Sequence, residues 1–280
     1  MIIYIEDDFN LDKIADSGQC FRWEKTGEAA YRIPFRDKCL YIEAAGDSAY
    51  DVSCTQQEFQ DVWYDYFDLG TDYRMIRERI DEQKDPFLYQ AAEQEKGIRI
   101  LQQDSWEMLI SFIISQNKNI PAIRRSIALL AVACGEECSD SKRDSYYAFP
   151  RPEAVLRLDP EQLRACSLGY RCKYVRAAAE DVAEGKINFE ELQKTDADRA
   201  IEALTEIYGV GIKVASCIAL FGMHHLNAFP RDVWVKRILE NEYPNGYPFS
   251  DYAPYNGVYQ QYMFAYYRNV NVKTLRESRS

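Results

Sequence analysis

The sequence predicts an α+β protein: a small antiparallel sheet domain with flanking helices over residues 1–86, packed on a larger all-helical domain over residues 87–280. Three observations carry this expectation. Residues 31–35 and 39–43 are short alternating runs separated by Arg36-Asp37-Lys38, which suggests a hairpin of paired strands. From about Pro86 onward the strand signals fade and apolar residues recur at helical spacing. No internal repeat or low-complexity linker interrupts the chain.

Within the first part, residues 57–69 and 73–82 read as helical after the hairpin. Asp104-Ser105-Trp106-Glu107 starts a helix, with Asp104 as cap and a Glu three residues later. Its apolar face is Met108, Leu109, Phe112 and Ile113. Pro121 suits the first turn of the next helix, over 122–133. Further helices are expected over 152–158, 173–184, 197–207, 212–221, 233–240 and 255–267. Acidic residues crowd segments 58–95 and 136–144, and such runs read as solvated helix faces.

A hydrophobic fraction of 47% supports a globular core. No apolar run approaches the roughly 20 residues that would cross a bilayer. The first residues mix Ile and Tyr with Glu and Asp, so neither a signal peptide nor an import sequence is expected, and the setting fits the cytosol. Eight cysteines form no Cys-x-x-Cys pair. Cys134 and Cys138 are the close pair; without a second pair or a nearby histidine, they read as buried thiols in a reducing compartment. A net charge of -11 excludes a protein that grips nucleic acid with its whole surface, so any such contact must be local.

The most informative stretch is Tyr208-Gly209-Val210-Gly211-Ile212-Lys213-Val214-Ala215. One helix ends, two glycines flank an apolar residue, and another helix begins. Glycine supplies positive φ and close backbone approach. The new helix offers free N–H groups and its positive dipole end, which suit a phosphate without any lysine. Taken alone, such a turn is more often an ordinary connection between antiparallel helices. Downstream, Phe229-Pro230-Arg231-Asp232-Val233 closes a loop with Pro and opens a helix with Asp232 as a cap.

With this pair of features the chain resembles the helix-hairpin-helix glycosylase superfamily, whose bifunctional members carry a lysine nucleophile where Lys213 stands and a catalytic aspartate where Asp232 stands. A lysine is a nucleophile only when neutral, so burial or nearby cations must favour the free amine. A fixed carboxylate would stabilise positive charge developing on the sugar. The phosphate contacts implied are Gly209, Gly211 and Val214, joined by Asn119.

Other segments narrow the resemblance to the 8-oxoguanine DNA glycosylase family. Ser17-Gly18-Gln19-Cys20-Phe21-Arg22-Trp23 is similar to that family's Gly-Gln-x-Phe-Arg-Trp segment, which gives the Gly18 carbonyl the role of sensing the proton on oxidised guanine N7. Gln260 and Phe264, four apart on one helix face, inherit recognition of the base edge and stacking on the base, with Cys217 against the other face. Asn117 in Gln116-Asn117-Lys118-Asn119 matches the residue that fills the gap left by an everted nucleotide. Tyr170 and Arg171 match the pair that wedges beside and hydrogen-bonds the base opposite.

The chain departs from the family pattern at three places. Lys118 replaces the middle Asn, Ala122 stands where cytosine-selective members have a second Arg, and Trp234 replaces a phosphate-contacting His. Losing a bidentate cytosine contact predicts a relaxed opposite-base preference. The resemblance thus implies a bifunctional N-glycosylase and lyase acting on duplex DNA that contains 8-oxoguanine, as a monomer free of membranes in a bacterial cytosol. No Cys follows Cys217, so no iron–sulfur loop is expected. His224-His225 is read as loop, not metal pair, and no cofactor is expected beyond a monovalent cation that hairpin carbonyls could hold.

Overall fold

The computed structural model describes residues 1–277, with side chains to residue 270. Five antiparallel strands form the first sheet: β1 (Ile2–Tyr4), β2 (Glu24–Gly27), β3 (Ala30–Phe35), β4 (Lys38–Gly46) and β5 (Ala49–Val52), in spatial order β1-β5-β4-β3-β2. The expected hairpin is β3 and β4, in register Tyr31 to Ile42 and Ile33 to Leu40. All four of those residues are buried, and they pack on Phe59, Trp63, Tyr66 and Phe67 from the segment that follows.

That following segment is not the single helix expected over 57–69. A wide π turn at Phe59–Trp63 sits between short helical pieces, Gln56–Glu58 and Tyr64–Tyr66. The π turn changes the angular spacing of the side chains, and Phe59, Trp63, Tyr66 and Phe67 all face the sheet.

A second departure is the acidic run 136–144, which is not a helix face. It forms a two-stranded hairpin, β6 (Glu137–Ser139) and β7 (Ser145–Tyr147). Asp140 closes the turn by accepting the amides of Lys142 and Asp144, each at 2.9 Å, and pairs with Arg32 at 2.8 Å. Tyr41 donates to the same carboxylate at 2.8 Å, so the hairpin is fastened to the sheet. Cys134 ends a helix and Cys138 lies on β6; neither is fully buried, contrary to expectation, because the hairpin runs along the surface.

The rest of the chain is helical. Ser105–Ser115 and Ile120–Cys134 begin at Asp104 and Asn119, whose side chains accept the amides of Glu107 and Ala122. Helices Pro152–Leu156, Cys172–Ala183, Ala197–Thr205, Ile212–Phe221 and Val233–Glu242 lie within about one turn of the expected bounds. The C-terminal helix, Asn256–Glu277, runs longer than expected. The short helices Leu11–Asp16, Pro86–Gln94, Pro160–Ala165 and Phe189–Gln193 are additions that periodicity did not reveal. None of the described helices is long and apolar enough to cross a membrane.

The two hydrophobic clusters interlock across residue 86: Tyr73, Ile76 and Ile80 belong to the helical core, whereas Leu101 packs with the sheet. Arg99 sits at this seam with no exposed surface and all five donors engaged. It donates to the carbonyls of Phe67, Asp8, Asp68 and Thr71 and to the Asp7 carboxylate at 2.9 Å. Burial alone would push the Asp7 carboxyl up, but the Tyr73 amide and Arg99 outweigh it and hold it below the ordinary range.

Arg99→Leu strands these acceptors, and the expected loss of about 3–5 kcal/mol is measurable by urea titration. The Asp7 contribution is complete above the unfolded carboxylate value of about 3.9 and disappears as pH falls through the lower folded value. The variant should therefore unfold in acid at a higher pH than the parent.

Candidate active site

The glycine turn shows why its residues are glycines. Gly209 has φ +89°, and a Cβ there would lie 2.3 Å from the Tyr174 ring. Gln116 donates to its carbonyl at 3.1 Å, tying the turn to the segment that carries Asn117. Gly211 caps Ile212–Phe221 without any side-chain hydrogen bond. The helical ladder begins with the Ala215 amide bonded to the Gly211 carbonyl at 3.0 Å, so the amides of Ile212, Lys213 and Val214 precede it. Ala215 is fully buried, and its helix packs on Ala197–Thr205.

Lys213, in the first turn, is half-buried, with Nζ 5.5 Å from the centre of the Phe112 ring. Phe112 is stacked on Phe221 and met edge-on by Phe21, so it forms a fixed floor beneath the amine. Asp232 caps Val233–Glu242, its Oδ1 accepting the Val235 amide at 2.8 Å. Lys213 and Asp232 form no ion pair within 4.0 Å among the described residues, but both act on Cys217. Burial pushes the Cys217 thiol up; the charge and hydrogen bond of Lys213 oppose this, and Asp232 adds to it.

The C-terminal helix carries the predicted base-binding residues Gln260 and Phe264. Gly257 lets the C-terminal helix press close, since a Cβ there would lie 2.4 Å from the Ala228 carbonyl and 2.6 Å from Leu220. Leu220 shares a helix face with Cys217 and Lys213, and Gly257 shares one with Gln260 and Phe264. Gln260 is buried, its Oε1 accepting from Gln261 at 2.9 Å. Gly18 has φ +84°, and a Cβ on it would lie 3.7 Å from Phe264, so these two predicted residues face each other.

Three supports escaped sequence reasoning. Gln19, with no exposed surface, holds the Gly18 loop through Ser17 Oγ, the Arg99 carbonyl and the Leu101 amide, each at 2.8 Å. Arg268 donates to the Asp16 carbonyl at 2.6 Å and lies over Phe264. Phe112 is the third. Arg268 had a signal, since it follows Phe264 by four residues on one helix.

The gap-side residues form a second cluster. Asn117, at φ +51°, donates to the Tyr170 hydroxyl at 3.2 Å. Tyr170 is 48% exposed, whereas Arg171 is 5% exposed, stacked on Tyr170 and donating to the carbonyls of Gln116 and Leu168. Arg171 is thus not the ordinary surface charge its position allowed. Asn119 uses its side-chain oxygen as the cap of Ile120–Cys134. His224 and His225 lie in irregular chain with separate partners, Asp68 and the Leu192 carbonyl. No group of three or more metal-ligating side chains occurs among the described residues. A cleft of about 820 Å³ lies elsewhere, lined by Trp106, Glu107, Phe149 and Phe189.

A glycine turn that frees helix amides, a lysine on that helix and an aspartate capping the next one are the marks of a helix-hairpin-helix base-excision glycosylase scaffold. Residues 110–245 match the HhH-GPD superfamily of base excision DNA repair proteins, and residues 1–109 match the 8-oxoguanine DNA glycosylase N-terminal domain. The chain is 30% identical over 241 residues to the N-glycosylase/DNA lyase OGG1 of Arabidopsis thaliana, a match covering 80% of this chain and 64% of that relative. It superposes on the structure of MBOgg1 with a low-affinity DNA ligand at a TM-score of 0.90, with 38% identity over 96% of each chain. For the Clostridium acetobutylicum 8-oxoguanine glycosylase/lyase bound to DNA with cytosine opposite 8-oxoguanine, the TM-score is 0.86, with 32% identity over 97% of this chain and 98% of that one. The chain belongs to the 8-oxoguanine DNA glycosylase family.

Gly209→Ala should cost at least about 2 kcal/mol, since the new methyl must displace Tyr174 in a backbone region strained for alanine. Denaturation and duplex binding by fluorescence anisotropy check it; parent-like values for both would show that the turn has room.

Proposed function

We propose that this protein is a bifunctional N-glycosylase and lyase that removes 8-oxoguanine from duplex DNA. The observation that carries this reading is that Lys213 and Asp232, on successive helices, both act on the buried Cys217 thiol, one turn from the Leu220 that meets the C-terminal helix at Gly257. On this reading the Gly18 carbonyl accepts the N7 proton that oxidation adds, while Gln260 meets the Watson–Crick edge. Phe264 and Cys217 flank the ring. Because Gly18 carries no side chain, the space toward Phe264 is left for the edge of a purine.

Catalysis follows from the same positions. The Lys213 lone pair attacks sugar C1′ as the bond to the base breaks, and the bonding electrons leave with the base. Asp232 faces the positive charge that develops on the sugar, stabilising it electrostatically. The amine then loses a proton, the ring opens to a Schiff base, and abstraction of a proton from C2′ expels the 3′ phosphate by β-elimination. Free amides at the start of the lysine helix, with Asn119, take the phosphates, which lets an acidic protein hold DNA locally. Ala122 supplies no guanidinium to the opposite base, so discrimination there is relaxed.

Borohydride should trap a covalent complex with 8-oxoguanine duplex, and Lys213→Gln should trap none; a trapped Gln variant refutes the mechanism. Asp232→Asn should slow base release by about 100-fold or more. Across four duplexes differing in the base opposite the lesion, excision rates should agree within roughly tenfold. A strict preference for cytosine would contradict the role given to Ala122.

A further inference from the structure

The two turns that face the gap are strained, and they are bolted together. Asn117 and Ser167 both hold positive φ, +51° and +58°, in a region that non-glycine residues occupy only where the surroundings over-determine it. Bonds cross between the turns: Arg171 donates to the Gln116 carbonyl, and Asn117 donates to the Tyr170 hydroxyl. At the base of both lies Lys118. Its Nζ donates to the Ser167 carbonyl at 2.6 Å and to Ser126 Oγ. Ser126 is fully buried and itself donates to the Ser167 carbonyl at 3.2 Å, which closes a triangle on the strained residue.

This is an unlikely place for a lysine unless it is held. Burial and the neighbouring Arg171 charge both push the ammonium down from its ordinary value. Two of its three donors point into the protein, on a chain whose partner would be polyanionic. Charge-assisted bonds to a carbonyl and a hydroxyl offset that cost, and they fix geometry more firmly than a neutral amide would.

We propose that Lys118 is a positioning residue that joins the Asn117 turn and the Tyr170–Arg171 turn into one preformed wedge, on which eversion of the damaged nucleotide depends. The proposal rests on the function given above. It assigns Lys118 no contact with DNA; it acts through Asn117. A wedge held by bonds within the protein leaves little ordering cost for the binding step.

The test compares the parent with Lys118→Met, Lys118→Arg, Ser126→Ala, Asn117→Ala and the double change at 117 and 118. Single-turnover excision of 8-oxoguanine opposite cytosine is measured with saturating enzyme, alongside hydrogen exchange of residues 116–119 and 167–171. Lys118→Met should lower the excision rate about tenfold through misplacement, with faster exchange in both turns. Lys118→Arg should recover part of the rate, and Ser126→Ala should show the same effects more weakly, even if the Met variant folds poorly. In the Asn117→Ala background the Met change should add less than about twofold, because the two act as one unit. An unaltered rate or unaltered exchange in the Met variant overturns the proposal, as does an equally large drop without Asn117. A parent that leaves 8-oxoguanine uncut refutes the assigned function alone, and the exchange data still decide whether Lys118 holds the two turns together.

Discussion

The close approach of backbone to aromatic ring at Gly209 is the constraint on which the site's arrangement rests. With no side chain there, Tyr174 lies flat against the turn, and the Gln116 amide reaches the Gly209 carbonyl. That contact joins the start of the lysine helix to the helix carrying Tyr174 and to the segment carrying Asn117. Lys213, Asn117 and Tyr170 are far apart in sequence, yet they are referred to one rigid point. A looser turn would leave each on its own element, free to drift by more than the fractions of an ångström that positioning allows.

The charge of the chain becomes intelligible from the same geometry. Asp72, Asp85, Asp104, Asp159, Asp196 and Asp232 each begin a helix by accepting an amide of its first turn. These six carboxylates are therefore placed where helix dipoles favour them. Gly211 differs from these six: its helix starts with no side-chain acceptor, and Ile212 beside it is 73% exposed. Where those six helices satisfy a first-turn amide internally, this one leaves its first amides open to an external acceptor. The net charge of -11 thus argues against a broad basic surface without arguing against a local phosphate site.

Local patterns made the helical part of the fold legible in sequence: the Asp104 cap, Pro121 in a first turn and the Gly-Val-Gly hairpin each act over a few residues. What could not be read is what depends on distant partners. The hairpin at 137–147 looked like a charged helix face because its order comes from Asp140 meeting Arg32 and Tyr41, about a hundred residues upstream in the chain. The π turn at Phe59–Trp63 likewise answers to the sheet it covers. In the site, the spacing of Gln260 and Phe264 could be read, but Gln19 and Arg268, which hold the facing loop, act across the fold.

The two halves of the site are held by different forces, and this bears on how a base would enter. On the gap side, Arg171, Asn117 and Lys118 are tied by polar bonds with defined directions, so the wedge resists small displacements. On the base side, Phe264 stands 3.7 Å from where a Gly18 side chain would begin, under the Arg268 guanidinium, and is positioned by packing. Dispersion contacts of this kind are individually weak and carry no directional penalty. A ring can shift at modest cost and repay it by stacking on an incoming purine, whereas opening the wedge would strand the buried Arg171 guanidinium. On the proposed function, then, the opposite strand would meet a fixed surface while the damaged base enters beside one adjustable aromatic ring.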